Sequence, residues 1–183
     1  RTLDMHRAGA RHLCFGRPPG RKPFVQNPNV VASTRFGPMI VNVNDRFIGA
    51  EILHSGYWGL GEVQLIAGLI GKRTGGTRRA TFYDIGANIG THTLGVSRLL
   101  GRKVTVRAFE AQRNIYYMLC GNIALNNLRS VYCHHLAVSD RPGEMIRFRT
   151  PDYNAPNNLG GLELMPPVTS DNQGMVHGGE EAV

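Results

Sequence analysis

Apolar and polar positions follow three rhythms along this chain. From Met39 to Ile52 the apolar residues Ile40, Val41, Val43, Phe47 and Ile48 flank Asn42-Val-Asn-Asp45, a pattern that predicts a small β-hairpin. After Gly56-Tyr-Trp58-Gly59 the spacing becomes helical, with Val63, Ile66, Leu69 and Ile70 on one face and Gly71-Lys-Arg-Thr-Gly-Gly76 as the stop. Two strand-helix units then follow. The first runs through Phe82-Tyr-Asp84 and turns at Gly86 and Gly90. The second is Lys103-Val-Thr-Val-Arg-Ala-Phe-Glu110, with a helix from about Gln112 to Asn126 that aligns Ile115, Met118, Leu119, Ile123 and Ala124. A third strand precedes Leu136, and an extra hairpin is predicted from Glu144 to Arg149 with about Gly161 to Met165. Strands alternating with helices predict an α/β fold, a Rossmann-like parallel sheet with flanking helices.

The two ends of the chain read differently from this middle. Residues 1–34 form a basic, proline-rich arm, in which Arg1, Arg7, Arg11, Arg17, Arg21 and Lys22 face only Asp4. Residues 35–165 form the Rossmann-like domain. Residues 166–183, rich in Pro, Gly, Ser, Asn and acids and without a period, read as a loop or tail, so the sheet is expected to be incomplete on its C-terminal side.

Candidate chemistry gathers where the strands end. Asp84 closes the first strand at the sheet edge where open α/β sheets bind ligands. Gly86 and Gly90 let the chain turn and a ligand approach, with Ala87, Asn88 and Thr91 in the same turn, and the following helix is expected to offer unpaired N–H groups. Glu110, closing the second strand, suits a pair of ribose hydroxyls. A dinucleotide site needs G-x-G-x-x-G with an acid about 20 residues on. Here Asn88 replaces the middle glycine, positions 89 and 91 are not glycine, and the acid comes at Glu110. S-adenosylmethionine carries no phosphate and has a cationic amino group and sulfonium, so Asp84 beside it is favourable by charge. It is the cofactor expected.

The run Asp84-Ile-Gly-Ala-Asn-Ile-Gly-Thr-His-Thr93, then Ala108-Phe-Glu-Ala111, Leu119-Cys-Gly-Asn122 with Leu125-Asn126, and Leu136-Ala-Val-Ser-Asp140 resembles the FkbM-type S-adenosylmethionine-dependent methyltransferases. The resemblance spans about Gly37 to Leu164. It implies a class I enzyme that moves a methyl group to an oxygen of a sugar, polyketide or related metabolite, hence a small-molecule acceptor. It also implies that the adenine ring passes Ala137 to Asp140, with Asp140 accepting a hydrogen bond from it or starting a turn. Family members continue into a strand with a Lys-Ile-Asp-Val-Glu-Gly-like motif, which is absent here. The chain alone is therefore expected not to transfer methyl groups, and a partner chain or a continuation is expected to cover its open sheet edge. No residue stands out as catalytic. His92 reads as an exposed or packed histidine, and His134-His135, alternating across a strand, read as structural.

Composition adds the remaining bounds. The 183 residues are 42% hydrophobic and 19% charged, enough for one ordinary core. No apolar run of 18 residues and no leader pattern occurs, so a cytoplasmic, soluble protein without a membrane segment is expected. Cys14, Cys120 and Cys133 lack metal-type spacing; they are expected to be reduced and structural, and no metal is expected. A net charge of +8 raises nucleic acid as a partner, but basic residues without interleaved aromatic ones read as a solvated surface. Two alternatives to the enzyme stay open: a non-catalytic scaffold with the same fold, and a protein that binds or modifies nucleic acid.

Overall fold

A computed structural model describes residues 27–75, 77–162, 164 and 175–183. Most of the basic arm, including Cys14, lies outside these residues, as does the stretch 165–174. The chain opens on a hairpin, β1 (Asn29–Thr34) against β2 (Gly37–Asn42), with Val30 opposite Val41 and Thr34 opposite Gly37. The hairpin therefore sits about ten residues earlier than expected, and Asn29–Thr34 belongs to it rather than to an arm. Its expected second strand is instead α1 (Ile48–Ser55). The reason lies in Asp45, whose carboxylate accepts the N–H groups of Phe47 (3.2 Å) and Gly49 (2.9 Å) and so caps a helix rather than closing a hairpin turn.

Helix α2 (Leu60–Thr74) follows and ends at Gly75 in the left-handed region. Three parallel strands come next, β3 (Ala80–Ile85), β4 (Val104–Glu110) and β5 (Val131–His135), hydrogen-bonded in the order β3-β4-β5. Helices α3 (Thr91–Leu100) and α4 (Arg113–Leu125) connect them. The fold is α/β and Rossmann-like. Strand β4 is central, and its alternate residues Val104, Val106, Ala108 and Glu110 are all buried. Val104 and Val106 pack with Val63 of α2 and Val96 of α3. On the other face Tyr83, Ile85 and Tyr132 are exposed, so among the described residues the helices cover one side of the sheet.

The hairpin is pinned to α4 by amides. Asn122, fully buried, accepts the Ile40 N–H (2.5 Å) and donates to the carbonyls of Ile40 (3.3 Å) and Ile89 (2.8 Å). Asn126 donates to Pro38 O (2.7 Å). A side chain at Gly121 would meet Ile40 Cδ1 at 2.6 Å, so glycine permits this close approach. Leaving a buried amide without its partners costs roughly 1–3 kcal/mol per group, which makes this network a strong register lock.

A second antiparallel pair, β6 (Arg147–Pro151) and β7 (His177–Ala182), closes the described chain. Strand β6 falls close to expectation, but its partner is His177–Ala182 rather than Gly161 to Met165. The segment read as an aperiodic tail thus supplies a strand. Two glycines and two acids hide its period. Register sets Arg149 opposite Glu180, a favourable cross-strand pair, and Val183 N–H reaches Ile146 O (3.0 Å).

Candidate functional site

A cleft of about 380 Å³ opens at the carboxyl ends of β3, β4 and β5. Its floor is the turn Gly86-Ala87-Asn88 with Thr91 and His92 of α3; Glu110 and Gln112 stand on one side. Ile48 and Trp58 from the N-terminal helices, Phe109, and Leu136 to Val138 supply apolar walls, closed by Gly160, Leu162 and Leu164. An adjoining hollow of about 400 Å³ shares Phe109, Leu136, Ala137 and Val138 and runs on to Met145 and Ile146. No Lys or Arg lines the cleft among the described residues.

The turn is built from its own hydrogen bonds. Gly86 N–H and Ala87 N–H both donate to Phe109 O (3.0 and 2.9 Å), Ile89 N–H to Asn88 Oδ1 (2.8 Å), and Gly90 N–H to Ala87 O (2.9 Å). Asn88 N–H donates to Glu110 Oε2 (2.9 Å). Every amide from 86 to 90 is thus spent internally, ahead of the helix that starts at Thr91. A phosphate-binding nest needs such groups free. Gly86 and Gly90 have φ of 72° and 91°, and Asn88 has 50°. At Gly90 a side chain would also meet Leu119 Cδ1 at 2.7 Å, so this glycine serves the contact between turn and α4.

Glu110 is 5% exposed and ties two segments together. Besides Asn88 N–H, it accepts Gln112 N–H on Oε1 (2.8 Å) at the start of α4. Burial pushes its carboxyl above the ordinary range, against the lowering effect of these N–H groups and of His135. The Ala111 N–H is directed at it as well, so about one of roughly four acceptor positions on the carboxylate remains for a ligand. Asp84 sits deeper. Its carboxylate takes the Thr93 hydroxyl and the Thr93 N–H, and burial again raises its pKa, opposed by Thr93 and by nearby His92.

The expected site residues therefore divide. Gly86, Ala87, Asn88, Thr91, Glu110 and Ala137 converge on the cleft; Asp84, Gly90 and Asp140 are not part of its lining. Asp84 caps α3 from beneath, Gly90 packs on Leu119, and Asp140 is exposed. His92, read as a bystander, lines the cleft, and its Nε2 lies 2.9 Å from Glu62 Oε2. Gly59 makes room for this pair: a side chain there would meet Glu62 Oε2 at 2.7 Å and His92 Nε2 at 3.0 Å. Glu62 can only accept, so Nε2–H donates to it, and in the neutral imidazole Nδ1 is the acceptor.

Gln112 does not stand out in the sequence. It donates to Leu159 O (3.0 Å) and accepts the Tyr153 hydroxyl (3.2 Å), fixing the loop that closes the cleft. Its position just after the acid-ended strand is the one signal that points to it. The two histidines of β5 do diverge, His134 stacking on Phe109 and His135 on Tyr116. Cys120 and Cys133 are free thiols, and burial pushes Cys133 up to about 12.

No protein-family model and no curated protein matches this chain. Comparison with solved structures gives partial likenesses. It is similar to M. jannaschii TYW2 in complex with AdoMet at 21% identity and TM-score 0.40, over 61% of this chain and 44% of that one. It is similar to the SAM dependent methyltransferase from Agrobacterium tumefaciens at 10% identity and TM-score 0.42, over 60% and 33%. The likeness to WT Trm5b from Pyrococcus abyssi is 16% identity and TM-score 0.38, over 59% and 28%. This chain thus spans less than half the length of each of these three structures.

Proposed function

We propose that this chain is the cofactor-binding part of an S-adenosylmethionine-dependent methyltransferase of the FkbM type. One observation carries the reading: the cleft holds the buried carboxylate Glu110 and, among the described residues, no Lys or Arg, in a chain with 21 of them. A dinucleotide would bring a pyrophosphate to a place with no counter-charge and with the turn amides already engaged. A cofactor bearing positive charge gains there instead.

The residues fit that cofactor. Glu110 keeps an acceptor position for a ribose hydroxyl, and Phe109 with Leu136 to Val138 gives an apolar slot for a ring. When bound, S-adenosylmethionine supplies an electrophilic methyl group. The chain's own contribution is to hold it, to exclude water with Trp58, Ile48 and Leu162, and to offer His92 Nδ1 as acceptor for the proton of an incoming hydroxyl. The acceptor in this reading is a sugar or other hydroxyl-bearing metabolite, supported by a cleft with no cationic group for a phosphate. Calorimetry tests it: S-adenosylmethionine and S-adenosylhomocysteine bind, and NAD does not. Tight NAD binding without response to either methionine nucleoside ends the reading.

A further inference from the structure

The opposite end of the sheet carries a second feature, independent of the cleft. From Val63 to Ser139 the only acids are Asp84 and Glu110, both buried at the carboxyl ends of the strands, while ten Lys and Arg residues occupy the same span. Half of them gather where the three strands begin: Arg78-Arg79 before β3, Arg102-Lys103 before β4 and Arg129 before β5. All five are exposed, and among the described residues none pairs with an acid. Register brings them together. Ala80 lies opposite Val104, which sets Arg79 level with Lys103 just before their strands, and Val106 lies opposite Val131, which sets Arg129 one residue further along, level with Val104. Arg79 reaches across to Ser130 Oγ (3.1 Å).

Like charges this close repel one another, and a polyanion relieves that repulsion by neutralising them and releasing its counterions. The open face of the sheet rises directly from this pole. On it Tyr132 is 51% exposed, with Arg107 held 5.4 Å from its ring centroid. Cations beside an exposed aromatic ring suit a backbone of phosphates whose bases can stack. We propose that the amino-terminal pole of the sheet, with Tyr132 and Arg107, binds single-stranded nucleic acid. A lipid surface fits less well, because a cationic side chain, Arg107, lies over the ring of Tyr132. Strand β4 is seven residues long, which sets the pole about 20 Å from the cleft. The surface is therefore a docking site and not the place of chemistry.

Fluorescence anisotropy with a labelled 20-nucleotide single-stranded RNA, full chain and 50–200 mM salt, tests this. The triple variant Arg79→Glu/Lys103→Glu/Arg129→Glu is expected to bind at least 30-fold more weakly. Its plot of log affinity against log salt is expected to flatten by about two, at roughly 0.7 for each phosphate that is no longer neutralised. A matched set of exposed residues elsewhere, Arg35→Glu/Arg46→Glu/Arg147→Glu, is expected to lose less than fivefold; the basic arm is present in both sets and cancels. Tyr132→Ala is expected to cost about tenfold for single strands and little for duplex. If the charge-reversed protein does not fold by circular dichroism, the Gln triple variant serves, with about tenfold weakening expected. Equal losses in the two sets overturn the proposal. So does an unchanged Tyr132→Ala affinity, or binding to phosphatidylserine vesicles without binding to RNA.

Discussion

At the carboxyl ends of β3, β4 and β5 the charged groups are Asp84 and Glu110, buried and hydrogen-bonded; at the amino ends they are Arg79, Lys103 and Arg129, exposed and without an acidic partner among the described residues. The same three strands thus present two chemistries. Burial costs a carboxylate several kcal/mol unless N–H or O–H groups satisfy it, and the turn after β3 together with the start of α4 does so for Glu110. Among the described residues the basic side chains at the other end meet only neutral acceptors, Ser130 Oγ for Arg79 and Asn127 Oδ1 for Arg129, and stay exposed to water. The difference shows how a sheet can hold a negative, enclosed cleft within a chain of net charge +8. Local desolvated charge sets what enters the cleft, while net charge sets what the surface attracts.

Breaking the acidic end should have the largest effect. Glu110→Gln places an amide NH₂ against the N–H of either Asn88 or Gln112, two donors face to face. We expect a loss of roughly 1–3 kcal/mol in stability by urea unfolding, together with at least tenfold weaker S-adenosylhomocysteine binding by calorimetry. Unchanged affinity in a folded variant would put the ribose elsewhere. Making the cleft resemble the pole comes next. Val138→Lys, at a half-exposed lining position, is expected to weaken S-adenosylmethionine binding about tenfold, with the gap closing as salt is raised. A gap insensitive to salt would mean that shape, not charge, is at work.

The pH dependence sharpens the contrast further. Burial raises the pKa of Asp84 in the folded state, so the folded chain holds this proton to higher pH than the unfolded chain. Its contribution to stability is therefore full below the ordinary carboxylate pKa and is lost as pH rises through the raised folded value. Wild type should lose stability relative to Asp84→Asn as pH rises from the ordinary carboxylate pKa of about 4 through the raised folded value. Denaturation midpoints of the two proteins across that range decide it; a constant difference would show that Thr93 fully offsets burial. The smallest effect is expected from the other end. Reversing Arg79, Lys103 and Arg129 should change cofactor affinity less than twofold at physiological salt, because about 20 Å exceeds twice the Debye length. A larger change would couple the two ends.

Much of this arrangement is legible in the residues. Apolar periodicity locates α2, β3, β4 and α4 to within a few residues, because each buries one face and the spacing of that face is local. Glu110, Asn88 and Gly86 are recognisable as strand-end and turn residues for the same reason. Asn42-Val-Asn-Asp45 misleads, since an Asx residue that begins a helix and one that begins a hairpin turn look alike until the following N–H groups find their acceptor. The strand His177–Ala182 is invisible because its pairing with β6 comes from residues far away in sequence.

The order of strands and helices, and the acids near the ends of β3 and β4, follow from short-range spacing along the chain. Tertiary structure alone decided which of those acids reaches the cleft. Asp84 precedes the last residue of β3 and faces Ala108, two residues below Glu110 at the end of β4, and Thr93 draws it beneath α3, while Asn88 and Gln112 hold Glu110 at the cleft wall. It also decided that His92 meets Glu62 and that the dispersed arginines converge on one pole. Their geometry depends on helix packing and strand register, which no local pattern encodes.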